Sequence, residues 1–140
     1  MTATEYFNKL LGYEEHRREL LERVNELELL ATSTGAIRTD KERVKSSPSN
    51  KQEDLIIQLA DMAKTYSQAL HKANVMWMEA DERISKLDKY ERRMVLRYRY
   101  MASKPKRMQW IADEMGYSVD RIKHIHREAL EEFERRFLND

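Results

Sequence analysis

The stretch from Met108 to Leu130, MQWIADEMGYSVDRIKHIHREAL, decides how this chain is read. Apolar residues fall at Ile111 and Met115, then Tyr117, then Ile122 and Ile125, which predicts two short helices joined near Gly116. Ala112 stands where such helices would cross closely. Gly116 stands where the chain must turn with φ > 0, which costs glycine nothing and a Cβ-bearing residue about 1 kcal/mol or more. Ser118 follows at an N-cap position, its hydroxyl able to accept from an orphan N–H. These offsets predict a helix-turn-helix, the unit that lays its second helix in a DNA major groove.

A helical hairpin inside a bundle shares some of this spacing, so the second helix's wheel decides between them. Ile122, Ile125 and Ala129 point one way, while Asp120, Lys123, His124 and Arg127 point the other. The polar face begins at a helix N-terminus, which itself favours phosphate. On this reading the helix from Ser118 enters the groove. Lys123 and Arg127 reach base edges or nearby phosphates, His124 donates or accepts at a base edge, and Asp120 accepts from a cytosine amino group. Arg121, at the flank, contacts phosphate. Lys104, Lys106 and Arg107 precede the first helix and clamp the backbone, which sets register without carrying sequence information.

The formal net charge of the 140-residue chain is only +1. Its distribution is more telling: from Glu91 to Arg127 there are ten cations against four anions, and the remainder is net acidic. That asymmetry fits a local nucleic-acid footprint. Hydrophobic residues make up 41% and charged residues 36%, with three Gly and two Pro, a composition of amphipathic helices. No alternating run bounded by turn residues predicts a strand.

Outward from the decisive stretch, two long helices are expected. Tyr6, Leu10, Tyr13, Arg17, Leu20, Val24, Leu27 and Ala31 step by four and three, a heptad seam with one charged interruption. The pattern stops between Thr32 and Asn50, which reads as a loop; its single Gly cannot build a phosphate-cradling nest. Leu55, Leu59, Met62, Tyr66, Ala69, Ala73, Met76 and Ala80 resume the period, and Ile84 and Leu87 continue it after a four-residue stutter. Met76, Trp77 and Met78 are expected to fill gaps in the seam as core or oligomer contacts, not as a cofactor box. Asp88, with Glu91 three residues on, is expected to cap a helix of roughly residues 89–101, and Phe133 and Phe137 to pack back on the C-terminal unit.

The expected architecture is all-α: a long antiparallel helical hairpin over residues 1–87, with a loop at 32–50, followed by a three-helix DNA-binding unit over 88–140. The apolar width of the second helix leaves room for a homodimer through the long helices. The chain has no cysteine, so disulfides, thiolate zinc sites and thiol nucleophiles are excluded. His124 and His126 diverge on a helix, while His16 and His71 stand alone. Asp113 and Glu114 are adjacent carboxylates on different faces. No metal, cofactor or enzymatic activity is therefore expected. No apolar run approaches the roughly 18 residues of a membrane span, and no signal-peptide core opens the chain, so a cytoplasmic protein without membrane contact is expected.

RRMVLRYRY from Arg92, followed by WIADEMGYSVDRIKHIHREAL, resembles region 4 of bacterial primary-type sigma factors, over about the last third of the chain. The whole layout of heptad helix, RVKSSPS loop, long middle helix and sigma-like end resembles the ArpU/RinA-type late-gene regulators of phages and integrative elements of Gram-positive bacteria. The resemblance implies a small transcriptional regulator, with RNA polymerase as a second partner. Val119 stands where sigma factors usually place a basic residue after the Ser, and nothing resembles a promoter-melting region, so an activator or accessory role is implied. Two alternatives share these features: a DNA-packaging adaptor such as a small terminase subunit, and an interaction module that binds polymerase alone. Packaging subunits commonly place the DNA-binding unit first, the reverse of the order here.

Overall fold

The computed structural model describes residues 1–33 and 50–139. The expected loop at 32–50 lies, but for its ends, outside the described residues. Those residues are mainly helical, with turns and short connections between the helices and no strand among them. The helices are α1 (Ala3–Ser33), α2 (Asn50–Ser85), α3 (Tyr90–Leu96), α4 (Met108–Met115) and α5 (Val119–Phe133). Wider π-helical turns, Arg97–Met101 and Glu134–Leu138, extend α3 and α5. Among the described residues no helix is long and apolar enough to cross a membrane.

The helix boundaries have local causes. At the start of α1 the Thr2 hydroxyl accepts the Glu5 N–H at 3.1 Å. At α3 the capping expected of Asp88 is not made: Lys89 occupies the N-cap position without a side-chain cap. Asp88 is engaged elsewhere, its backbone N–H donating to Glu132 and its carboxylate lying 3.5 Å from Arg136.

The chain divides into two compact units, Met1–Gly12 with Ala73–Asp140, and Tyr13–Lys72. The first therefore takes in two segments, residues 1–12 and 73–87, that the sequence reading grouped with the hairpin. Their side chains supply the reason. Ala3, Tyr6, Phe7 and Leu10 share one buried cluster with Ala80, Ile84, Leu87, Leu96, Tyr100, Ala129 and Phe133. Phe7 is wholly buried, stacked on Tyr100 at 4.5 Å between ring centroids and tilted against Phe133 at 4.8 Å. Tyr6 donates its hydroxyl to Glu79 at 2.8 Å; burial, then the Glu79 carboxylate, holds that hydroxyl well above the ordinary tyrosine range.

Met76 packs against this cluster, but Trp77 and Met78 are not core within the chain: they are 39% and 68% exposed. Consecutive helical residues point about 100° apart, so three in a row cannot face one partner.

A second feature of this unit is electrostatic. Glu132 is 1% exposed, which few carboxylates tolerate without partners. Arg92 donates at 2.8 Å, Arg136 at 3.0 Å and the Asp88 N–H at 3.1 Å. Burial alone would raise the Glu132 carboxyl, yet these donors together hold it below the ordinary glutamate range.

The second unit is thinner. Arg17, the charged interruption of the seam, is half-buried and engages Glu14 and Tyr66. Leu20 and Ala31 are its buried side chains among the described residues, while Leu27, Leu59 and Met62 stay half-buried. A cleft of about 420 Å³ lies between Arg23, Glu26, Leu27 and Leu30 of α1 and Gln58, Asp61, Met62 and Thr65 of α2.

Two outcomes are expected. Phe7→Ala should cost about 3–5 kcal/mol of unfolding free energy in denaturant titration, whereas the exposed Met78→Ala should fall within about 0.5 kcal/mol. The second concerns His126, whose Nε2 meets the Tyr100 hydroxyl at 2.8 Å. Burial, with Arg99 nearby, holds its imidazole below the ordinary histidine value in the folded state. The unfolded chain then takes up the proton first, so this contribution is full above about pH 6.5 and is lost as pH falls through the imidazole range. Urea titrations between about pH 7.5 and 5 should show that slope in the wild type and a flatter one in His126→Gln.

Candidate nucleic-acid interface

The decisive stretch folds as α4, a tight turn and α5. Gly116 adopts φ 75° and ψ 30°, the left-handed conformation, and is the only residue with positive φ among those described. Its N–H and that of Tyr117 both donate to the Ala112 carbonyl, at 2.9 and 3.0 Å, which closes the end of α4. A Cβ built at Gly116 meets nothing within 4 Å, so the need for glycine is a matter of backbone conformation, not of space. Ser118 leaves the turn extended and its Oγ accepts the Arg121 N–H at 3.1 Å. Beneath the elbow Val95, Ile111, Ala112, Ile122 and Ile125 form a second buried cluster, flanked by Tyr98, Met108, Met115, Tyr117 and Val119.

With Ile122, Ile125 and Ala129 inward, α5 presents Asp120, Arg121, Lys123, His124 and Arg127 to solvent, all exposed, with Ser118 at the start of the same ridge. Arg121 lies over the Tyr117 ring, 4.6 Å from its centroid. Lys104 and Arg107 are exposed. Lys106 is half-buried, its ammonium 4.7 Å from the centroid of Trp110, which in turn meets Tyr98 edge-on at 5.2 Å.

Not every cation of the basic segment is on offer. Arg92 is bound to Glu128 and Glu132, and Arg93 donates to the Leu87 carbonyl. Arg97 pairs with Asp81 and Ser85, and Arg99 leans over Tyr100. The exposed positive surface of the segment is therefore made by Lys104, Arg107, Arg121, Lys123 and Arg127, a smaller footprint than the charge count suggests.

His124 differs most from its expected role. Its Nδ1 lies 2.7 Å from an Arg127 Nη, and its Nε2 contacts the Glu128 carboxylate. Both ring nitrogens are thus occupied, so His124 can reach a base edge only by giving up one of these partners. Glu128 extends the ridge inward through Arg92 at 2.7 Å, which together with His124 holds its carboxyl below the ordinary range. Sequence reading passed over Glu128, although the four-residue step from His124 is the usual spacing of such pairs. Arg92 is distant in the chain and has no such signal. Beside this network Lys89, Glu91, Arg92, Arg121, His124, Ile125 and Glu128 line a cleft of about 220 Å³.

No cluster of three or more metal-ligating side chains is found among the described residues. Comparison of the chain with protein-family models, curated proteins and solved structures gives no match.

The elbow predicts a paired outcome. Gly116→Ala should lower stability by about 1 kcal/mol or more, because its φ is forced, while Gly12→Ala, inside α1 with nothing within 4 Å of the added Cβ, should raise it by up to about 1 kcal/mol. Thermal or denaturant melts of the two variants measure both.

Proposed function

We propose that this chain is a sequence-specific, DNA-binding transcriptional regulator that acts through a helix-turn-helix formed by α4 and α5. The observation that carries the reading is the outward ridge of α5, on which exposed cations follow a capped elbow over a buried cluster. Such a ridge offers donors to phosphates and base edges, and its rigidity spares the ordering cost of binding. Lys123 and Arg127 are assigned to base edges or adjoining phosphates, Asp120 to a cytosine amino group, and Arg121, Lys104, Lys106 and Arg107 to the backbone. Ser118 fixes the helix start. His124 is assigned to the same face through its contact with Arg127.

The resemblance of this end of the chain to sigma region 4 makes activation of phage or integrative-element genes in the cytoplasm the preferred setting, with RNA polymerase as a second partner. In the same proposal α1 and α2 form a long antiparallel hairpin. The half-buried leucines of residues 13–72 and the cleft beside them favour a homodimer through those helices. A closed ring of many subunits by light scattering would replace this reading with the packaging adaptor. Binding to polymerase without binding to duplex would replace it with an interaction module.

The test is a gel shift with duplexes enriched from genomic fragments, at two salt concentrations. Binding should weaken steeply with salt, as phosphate contacts release counterions. Lys123→Ala combined with Arg127→Ala should remove specific binding, about 1–3 kcal/mol for each lost base contact, with helicity unchanged by circular dichroism. Normal operator binding by that double variant overturns the assigned face.

A further inference from the structure

We propose that His124 and Glu128 are positioning residues that aim the Arg127 guanidinium for sequence readout, an inference that rests on the DNA-binding reading above. An exposed arginine carries five N–H donors on a flexible stem, and unrestrained it contacts any phosphate. Here one of those donors goes to His124 Nδ1 at 2.7 Å, which leaves the remaining fork free and restricts its direction. An imidazole can accept at Nδ1 only as the neutral tautomer protonated at Nε2. Glu128, in contact with Nε2, selects that tautomer. Glu128 is itself held by Arg92 at 2.7 Å, and Arg92 by the buried Glu132 at 2.8 Å. The orientation of a solvent-facing guanidinium is thereby tied, through a neutral imidazole and two ion pairs, to the interior of the C-terminal unit.

The groups that face the ring divide by sign: Arg121 and Arg127 on α5 and Lys89 and Arg92 from the α3 side are cationic, while Glu128 and Glu91 are anionic. Without the bond to the ring the guanidinium is no longer aimed, so discrimination between sequences falls while attraction to phosphate remains. A histidine that merely touched phosphate would strengthen binding to all duplexes alike.

The experiment compares the full-length wild type with His124→Gln and Glu128→Ala. Its probes are a duplex enriched by the wild type from a random-sequence pool at about pH 8 and a scrambled duplex of equal length. Dissociation constants for both are measured under the conditions of the enrichment. In both variants the ratio of specific to scrambled affinity should fall on the order of tenfold below that of the wild type, the loss of one directed hydrogen bond. A ratio preserved in both variants overturns the proposal.

A measurement without DNA separates the two readings. In the free protein the Arg127 side-chain nitrogen resonances of the wild type should differ from those of both variants. If they are the same in all three, the positioning role is overturned whatever the chain binds. If they differ and no duplex is bound, the coupling stands and the DNA-binding reading fails. His124→Gln, at an exposed site, keeps the test open if Glu128→Ala does not fold.

Discussion

Phe133 lies wholly buried against Tyr6, Phe7 and Phe137, and that contact sets the rotation of α5 about its own axis. A helix has one rotational freedom that its own hydrogen bonds do not restrain. Phe133 and Ala129 remove it at one end, in the aromatic cluster, while Ile125 and Ile122 remove it at the other, under the elbow. Because these four residues recur at steps of four and three, they lie on one side of the helix. Lys123 and Arg127 then face the opposite side, with Lys123 about 15 Å along the axis from Phe133. The first turns of α1 thus bear on the presentation of a ridge far along the chain, since they close the aromatic cluster.

Electrostatics in the C-terminal unit separates charges that bind inward from charges left outside. Glu132 would be too costly to bury ionised without Arg92, Arg136 and the Asp88 N–H. Those partners make a carboxylate part of the interior and withdraw Arg92 from the surface. Arg93, Arg97 and Arg99 are likewise drawn to a carbonyl, a carboxylate and a ring. Net charge over a segment consequently overstates what a polyanion would meet, and burial together with pairing is the better guide.

The unit of residues 13–72 obeys a simpler geometry. Two helices share one face, and an apolar stripe at least about 100° wide on each is broader than that face can cover. Leu27, Leu59 and Met62 are left half-buried as a result, with Leu29 and Ile57 more open still at 71% and 59% exposure. This differs from the C-terminal unit, where several helices converge and whole aromatic rings disappear from solvent.

Much of the molecule could be read one helical turn at a time. The heptad steps place α1 and α2, the left-handed Gly116 and the Ser118 cap place the elbow, and the wheel of Ile122, Ile125 and Ala129 shows which way α5 faces. Each follows from backbone conformation and a spacing of three or four residues, for which neighbours in the chain suffice. The burial of Phe7 on Tyr100, the employment of Asp88 away from its cap, the exposure of Trp77 and Met78, and the path from Arg127 through His124, Glu128 and Arg92 to Glu132 were not legible in that way. They depend on which element arrives opposite, and packing and charge pairing act between residues that the chain order leaves far apart.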